Sequence, residues 1–332
     1  MKAVQVNSDG SVSVVERPVP KIGPGEALVR VRVCGICGSD LLAWYVRKKA
    51  GTVLGHELAA EVVEVGAGVT AFAAGDRVVP HHHAPCMACA ACLAGRYVHC
   101  AEWKASRLEP GGMAELVRVP AGNLARDTLR IPGALTDEEA SWTEPLATVV
   151  KALRRGAFAA GQSLLVVGAG ATGQLAVRLG RALGAARVAA ADRVASRLAL
   201  ARSTGAGETI DVDRQTLPAG FDFVFVGPGK GEAIRAGFAA VAPGGTLLLF
   251  TMAPPEERWD LAPHDLYFRE VTVVPSYSCG PDDTREALDL LASGRVRVAD
   301  LVTHRFPIME APEAFARAKE PEGSLKVVIT FD

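Results

Sequence analysis

Four cysteines in the stretch CMACAACLAGRYVHC, namely Cys86, Cys89, Cys92 and Cys100, lie in one short loop of small residues. Four soft ligands at this spacing can converge on one tetrahedral zinc and leave no open position, which is a structural arrangement and not a catalytic one. An iron–sulfur cluster is the alternative, but nothing else in the chain supplies it with a redox partner. A second donor set is more dispersed: Cys37 in CGICGSD, His56 and Glu57 in VLGHE, and Glu144 in WTEPLA. A thiolate, an imidazole and a carboxylate with one exchangeable position would make a catalytic zinc site. Each residue alone reads equally well as core or as a satisfied polar group, and spacing does not join residues so far apart.

A third motif, LLVVGAGATGQLA, carries Gly168, Gly170 and Gly173 between an apolar run and a helical pattern. In a strand–turn–helix context the first glycine permits the tight turn, the second lets backbone approach a pyrophosphate, and the third lets helix pack on strand. The helix start, Thr172 included, then offers free N–H groups to phosphate. The next strand ends in Asp192, placed to accept hydrogen bonds from an adenosine ribose and to repel a 2′-phosphate. NAD is therefore favoured over NADP, although Arg193 and Arg197 could each pair with a phosphate.

The elements that must position these residues fall into two textures. Ala27–Val33 alternates apolar residues with arginine, the period of a half-buried strand. Leu58–Val65 and Asp76–Val79 are similar short runs between glycines. From Leu164 the pattern changes to apolar strands (164–167, 187–191, 221–226, 246–250) alternating with helices (172–183, 196–203, 232–241), which argues a parallel sheet wound with helices. The tail holds a helix in REALDLLAS and a last strand in LKVVIT.

At 332 residues, two domains are expected. A formal charge of −1 gives no electrostatic case for nucleic acid or an anionic membrane. The apolar runs are too short to span a bilayer, and MKAVQVNSDGSV lacks the apolar core of a signal peptide. The seven cysteines then read as reduced thiols or metal ligands, and a cytoplasmic protein is expected.

Taken in order, GICGSD, GHE, VEVGAGV, GDRV, the cysteine quartet, EPLA and VVGAGATG with Asp192 resemble the zinc-containing medium-chain dehydrogenases over essentially the whole chain. Glutamate in EPLA is similar to the sorbitol (polyol) and threonine dehydrogenase branch. The resemblance implies an α/β protein: a GroES-like β-rich catalytic domain over residues 1–145 with a structural-zinc lobe at about 81–103, a Rossmann NAD-binding domain over 146–278, and a segment 279–332 returning to the catalytic domain. It implies two zinc ions per chain, a catalytic one near Cys37, His56, Glu57 and Glu144 and a structural one on the quartet, with Glu57 or Glu144 able to trade places with water. Asp40 matches the residue that orients the zinc-binding histidine, and Ser39 the hydroxyl that passes the substrate proton outward. The implied reaction is reversible NAD-linked oxidation of a secondary alcohol, foremost a polyol, to its ketone, with zinc as Lewis acid. A threonine-like amino alcohol, a sugar-alcohol phosphate, or a non-catalytic zinc- and NAD-binding relative are the alternatives. A homodimer or homotetramer is implied.

The chain departs from the family at Leu42, where a proton-relaying histidine is usual. The basic triplet Arg47, Lys48 and Lys49 would lie near the substrate mouth, where it could attract an anionic group or form a solvated turn. His81, His82 and His83 could bind metal, but they flank the quartet, and exposed or supporting roles are expected.

Overall fold

A computed structural model of the chain describes residues 1–331; Asp332, the last residue of the expected returning segment, lies outside them. The chain divides into two compact units. The first comprises Met1–Ala147, Cys279–Gly294 and the residues from Val298 onward; the second comprises Thr148–Ser278 and Arg295–Arg297.

The first unit is built on a seven-stranded sheet. Its centre is the long antiparallel pair Ala27–Gly35 and Glu57–Val65. In the first of these, Val29, Val31 and Val33 are buried while Arg30 faces solvent, and Arg32 pairs outward with Glu61 at 2.5 Å. That is how an alternating sequence forms one wall of a core. Arg77–Pro80 and Thr128–Arg130 extend one side of the sheet. On the other side Lys326–Thr330 pairs with Ala27–Gly35 and in turn with Val302–Pro307. The C-terminal strand is thus an interior member of the sheet that carries Cys37 and Glu57.

The second unit is a six-stranded, all-parallel sheet in the order Glu208–Asp211, Arg187–Asp192, Ser163–Val167, Phe221–Val226, Val241–Leu249, Thr272–Pro275. This is the order of a doubly wound dinucleotide fold, in which direction reverses beside the first strand and leaves a crevice at the strand ends. Leu164, Leu165 and Val166 are fully buried, as a strand covered on both faces by helices requires. The α/β architecture agrees with the sequence reading. The sequence does not announce the hairpin Lys2–Val6/Val12–Glu16 or the short strands Glu208–Asp211, Thr272–Pro275 and Val302–Pro307. None is longer than six residues, too short to carry a clear periodic signal. Among the described residues no helix is long and apolar enough to cross a membrane.

Candidate active site, metal centres and nucleotide loop

Strand register assembles the first cluster. Gly35 lies opposite Glu57, so Cys37, just past the end of one strand, and His56, just before the start of the next, meet at the same end of the sheet. The ligand atoms of Cys37, His56 and Glu57 all lie within 4.8 Å of one another. Cys37 caps the short turn Gly38–Leu41. Its Sγ accepts from the Ser39 amide at 3.5 Å and from Ser39 Oγ at 3.3 Å. Asp40 Oδ2 accepts from the Cys37 amide at 3.3 Å. Its other oxygen is buried without a hydrogen-bond partner, so in this arrangement Asp40 braces the cysteine turn.

The field of this cluster is cation-seeking. Burial pushes the His56 imidazole down, but Cys37, Asp40 and Glu144 outweigh it and hold its pKa well above the ordinary value. What favours a proton there also favours a metal ion. Glu57 is 3% exposed and forms an ion pair with the equally buried Lys326. Lys326 Nζ also donates to the Ile36 carbonyl at 3.1 Å and sits over the Trp142 ring. Gly35 makes room for this pair: a Cβ there would overlap Glu57 Oε2 and crowd the Lys326 side chain.

Glu144, in the first turn of the helix Thr143–Arg155, lies where its charge acts on His56 and Glu57 acts on it. Its carboxylate groups with His81 and His82, ligand atoms again within 4.8 Å. Burial raises its pKa, partly offset by His56. The histidine run is not exposed: His81 is 2% and His83 7% accessible. His81 Nδ1 bonds Asp127 Oδ2 at 2.7 Å, and Asp127 Oδ1 accepts from Thr284 at 2.5 Å. The rings of Trp103, His83, His82 and His56 follow one another at centroid spacings of 4.0, 4.2 and 5.0 Å. Asp127 and Lys326 carry no signal in the sequence; the HHH run is visible there, but its burial and its pairing with Asp127 are not.

The four cysteines of the quartet also place their sulfurs within 4.8 Å of one another, none in a disulfide. Cys89 and Cys92 sulfurs are 3.5 Å apart, Cys86 and Cys92 3.8 Å. Zinc–sulfur bonds of about 2.3 Å give tetrahedral edges of about 3.8 Å, so the donors fit zinc with little movement. Backbone amides of Ala88 and Cys89 donate to Cys86 Sγ, and that of Cys86 to Cys100 Sγ. Burial raises Cys100, but the Cys86 and Trp103 amides outweigh it and bring its pKa down to about 6. Trp103 packs on the lobe and donates to the Cys279 carbonyl at 3.2 Å, while Tyr97 donates to Asp282 at 2.5 Å.

In the second unit, the strand Ser163–Val167 runs into Gly168 (φ +91°) and the helix Ala171–Ala182. A Cβ on Gly173 would overlap the Gly168 carbonyl oxygen, whereas one on Gly170 would meet only the tip of Arg197. The tight turn and close packing therefore belong to Gly168 and Gly173, and Gly170 and Thr172 leave an open approach. Asp192 ends its strand with Oδ2 accepting the Ala169 amide at 2.7 Å and Oδ1 the Val194 amide at 2.9 Å. A carboxylate has about four acceptor positions, so two remain. Arg193 is exposed and 3.9 Å from Asp213. Buried Gln174, unmarked in the sequence, ties the loop to the following helix through the Ala169 and Arg197 carbonyls.

The basic triplet forms a short exposed turn, with Lys48 over the Trp44 ring and Lys49 over the Tyr45 ring.

Residues 23–132 match the alcohol dehydrogenase GroES-like domain family, and residues 171–293 the zinc-binding dehydrogenase family. The chain is 34% identical to D-altritol 5-dehydrogenase of Agrobacterium fabrum, covering 98% of each. It is 33% identical to sorbitol dehydrogenase of Rattus norvegicus, over 98% of this chain and 95% of that one. A zinc-binding dehydrogenase of Sinorhizobium meliloti 1021, solved bound to NADP, superposes with a TM-score of 0.89 at 30% identity, covering 99% of this chain and 98% of its own. With its donor clusters, its nucleotide loop and relatives matched from end to end, this chain belongs to the zinc-binding dehydrogenase family, with a GroES-like and a Rossmann domain.

Proposed function

We propose that the protein oxidises a secondary hydroxyl of a polyol to the ketone, reversibly, with NAD as hydride acceptor. The observation that carries this reading is the Cys37–His56–Glu57 triplet, three different donors brought within 4.8 Å by strand register. The polyol and sugar-alcohol names of its relatives support the substrate class. In this reading Cys37, His56 and Glu57 hold a zinc ion, with Glu144 at its flank, and the quartet holds a second. When bound, the ion at the triplet supplies Lewis acidity toward a substrate oxygen.

The chain's own residues do the rest. Ser39 Oγ, held against Cys37 Sγ by its donated bond, keeps its lone pairs to accept the substrate's hydroxyl proton. Leu42 cannot carry that proton, so it leaves Ser39 by a route independent of that side chain. Lys326 pairs with Glu57. Gly168, Gly170, Thr172 and Gly173 seat the pyrophosphate, and the remaining lone pairs of Asp192 accept the ribose hydroxyls, which favours NAD. With their ammonium groups over aromatic rings, Lys48 and Lys49 support the solvated-turn reading of the basic triplet over an anion site.

The test is NADH formation by the purified full chain with a panel of polyols, before and after zinc is stripped by a chelator and restored. Activity that disappears and returns supports the reading. Protein that holds zinc at both sites and is inert on polyols and amino alcohols alike would overturn it. The same assay should give a higher kcat/KM with NAD than with NADP, with the gap closing by about tenfold or more in Asp192→Ala, the effect of about 1.4 kcal/mol.

A further inference from the structure

We propose that a cavity at the start of the strand Arg187–Asp192, within the second unit, binds a phosphate dianion, free or carried by a small organic molecule, at a place separate from the nucleotide loop. Its volume is about 490 Å³, inside the roughly 300–1,000 Å³ of small-molecule sites. Arg181, Arg187, Arg202 and Glu208 line it together with the small residues 205–207. Three guanidinium groups against one carboxylate leave two positive charges uncompensated, because arginine does not give up its proton. Arg187 opens its strand and Asp192 closes it, so strand steps of about 3.3 Å set their backbones about 17 Å apart. A phosphate held among these arginines is therefore neither the cofactor's pyrophosphate nor a 2′-phosphate on its ribose.

The fold positions all three guanidinium groups but neutralises only one. Arg187 pairs with Glu208 at 2.5 Å and lies over the Phe221 ring, 4.3 Å from its centroid. Arg202 donates to the Thr209 hydroxyl at 2.8 Å, a neutral acceptor that orients the side chain and leaves its charge. Arg181 reaches the Ala185 carbonyl at 3.5 Å, beyond the roughly 2.7–3.2 Å of a firm bond. Neither Arg181 nor Arg202 has a carboxylate partner among the described residues. Gly205 shapes the wall that Arg181 crosses: its φ of +134° suits glycine, and a Cβ there would lie 2.6 Å from Arg181 Cγ. Arg181 and Arg202 each stand in the last turn of a helix, Ala171–Ala182 and Ala195–Ser203, where a cation complements the helix dipole. That role would be served by two arginines pointing apart; it does not require them to meet a third around one cavity. A phosphate monoester carries nearly two negative charges and three strong acceptor oxygens. It matches both the surplus charge and the forked donors of arginine.

The full chain is saturated with NAD, which fills the nucleotide loop, and titrated calorimetrically with glycerol 3-phosphate, inorganic phosphate, succinate and glycerol. We expect one equivalent of phosphate ligand to bind, and succinate and glycerol to bind far more weakly or not at all. Tighter binding of glycerol 3-phosphate marks an organic phosphate as the ligand; equal affinities mark free phosphate. Affinity should fall about tenfold or more in Arg181→Gln and in Arg202→Gln, each removing a charge-assisted contact. It should rise in Glu208→Gln, which removes the competing carboxylate and frees Arg187. It should fall between about pH 7 and pH 5, as the ligand passes its second pKa of about 6 while the arginines stay charged. Melting temperature is the folding control, and Arg202→Gln, at an exposed position, keeps the test open should Arg181→Gln fail it. Succinate bound as tightly as phosphate would overturn the assignment, as would phosphate binding that both arginine variants leave unchanged. Binding that vanishes once NAD is present, or no binding of either phosphate at millimolar concentration, would overturn it too. Failure of NAD itself to bind would count against the cofactor reading alone, because the arginine variants report on the cavity directly.

Discussion

Glu57 shows how much of this site's behaviour depends on one buried cation. A carboxylate only 3% exposed is costly to bury, and here Lys326, from the last strand, supplies the opposite charge. Burial lowers the Lys326 pKa, but Glu57, Cys37 and Glu144 outweigh it and raise it, so the ammonium stays charged. Lys326→Met keeps the volume and removes the charge. The uncompensated carboxylate should cost about 3–5 kcal/mol in metal-free protein, and less when zinc at the triplet supplies its own positive charge. The check is the drop in melting temperature relative to the parent, measured with chelator and with zinc. An equal drop in both would show that Glu57 does not face the metal. Legibility at this scale followed sequence distance. The cysteine quartet and the glycine turn are local and could be read directly. His81, Asp127 and Thr284 come from three separate segments, and nothing in any one of them names its partners. Glu144 is joined to Cys37 in sequence only through the family resemblance, for the same reason, since a helix start and a strand end give no spacing to compare.

Whole elements carry the site through register and capping. The pairing of Gly35 with Glu57 decides that Cys37 meets His56; one residue of slip would send every side chain to the opposite face. In the parallel sheet the corresponding device is Asp222, whose carboxylate accepts from the Ser163 hydroxyl at 2.6 Å and the Ser163 amide at 2.8 Å, fastening two adjacent strands where they start. Those two bonds, the hydroxyl's first, lower the Asp222 pKa. A depressed folded-state pKa gives stability that is present above the unfolded value of about 3.9 and is lost as pH falls through the folded one. Ser163→Ala should therefore destabilise at neutral pH, by about 1 kcal/mol for a half-buried charged bond, and the difference should shrink below about pH 3. Urea midpoints of parent and variant at both pH values test this. A difference unchanged at low pH would mean the bond does not depend on the carboxylate's charge. Strands such as Ser163–Val167 were legible because apolar residues crowd them. Val302–Pro307 was not, because half its residues face outward.

The molecule as a whole joins two units stabilised by different means. The first, with its quartet lobe and donor clusters, gathers every candidate metal cluster among the described residues, and Trp44, Trp103 and Trp142 lie in it. The second has a core of parallel strands, the nucleotide loop and Trp259. The change of texture near residue 164 made this division visible in sequence. The return of the chain through Cys279–Gly294 to the first unit came from the family resemblance, since periodicity says nothing of which sheet a strand joins. Metal should therefore stabilise one unit and cofactor the other. Ligand that binds only the folded form adds about 2.7 kcal/mol at a hundredfold excess over Kd, and a structural zinc contributes its binding energy directly to folding. In a Trp259→Phe variant, fluorescence reports the first unit alone. A chelator should lower that fluorescence midpoint markedly and leave a second calorimetric transition in place, while NAD should raise the second transition and move the fluorescence midpoint much less. A single transition that shifts as one with either addition would show that the units unfold together, and that metal and cofactor stabilise one cooperative whole.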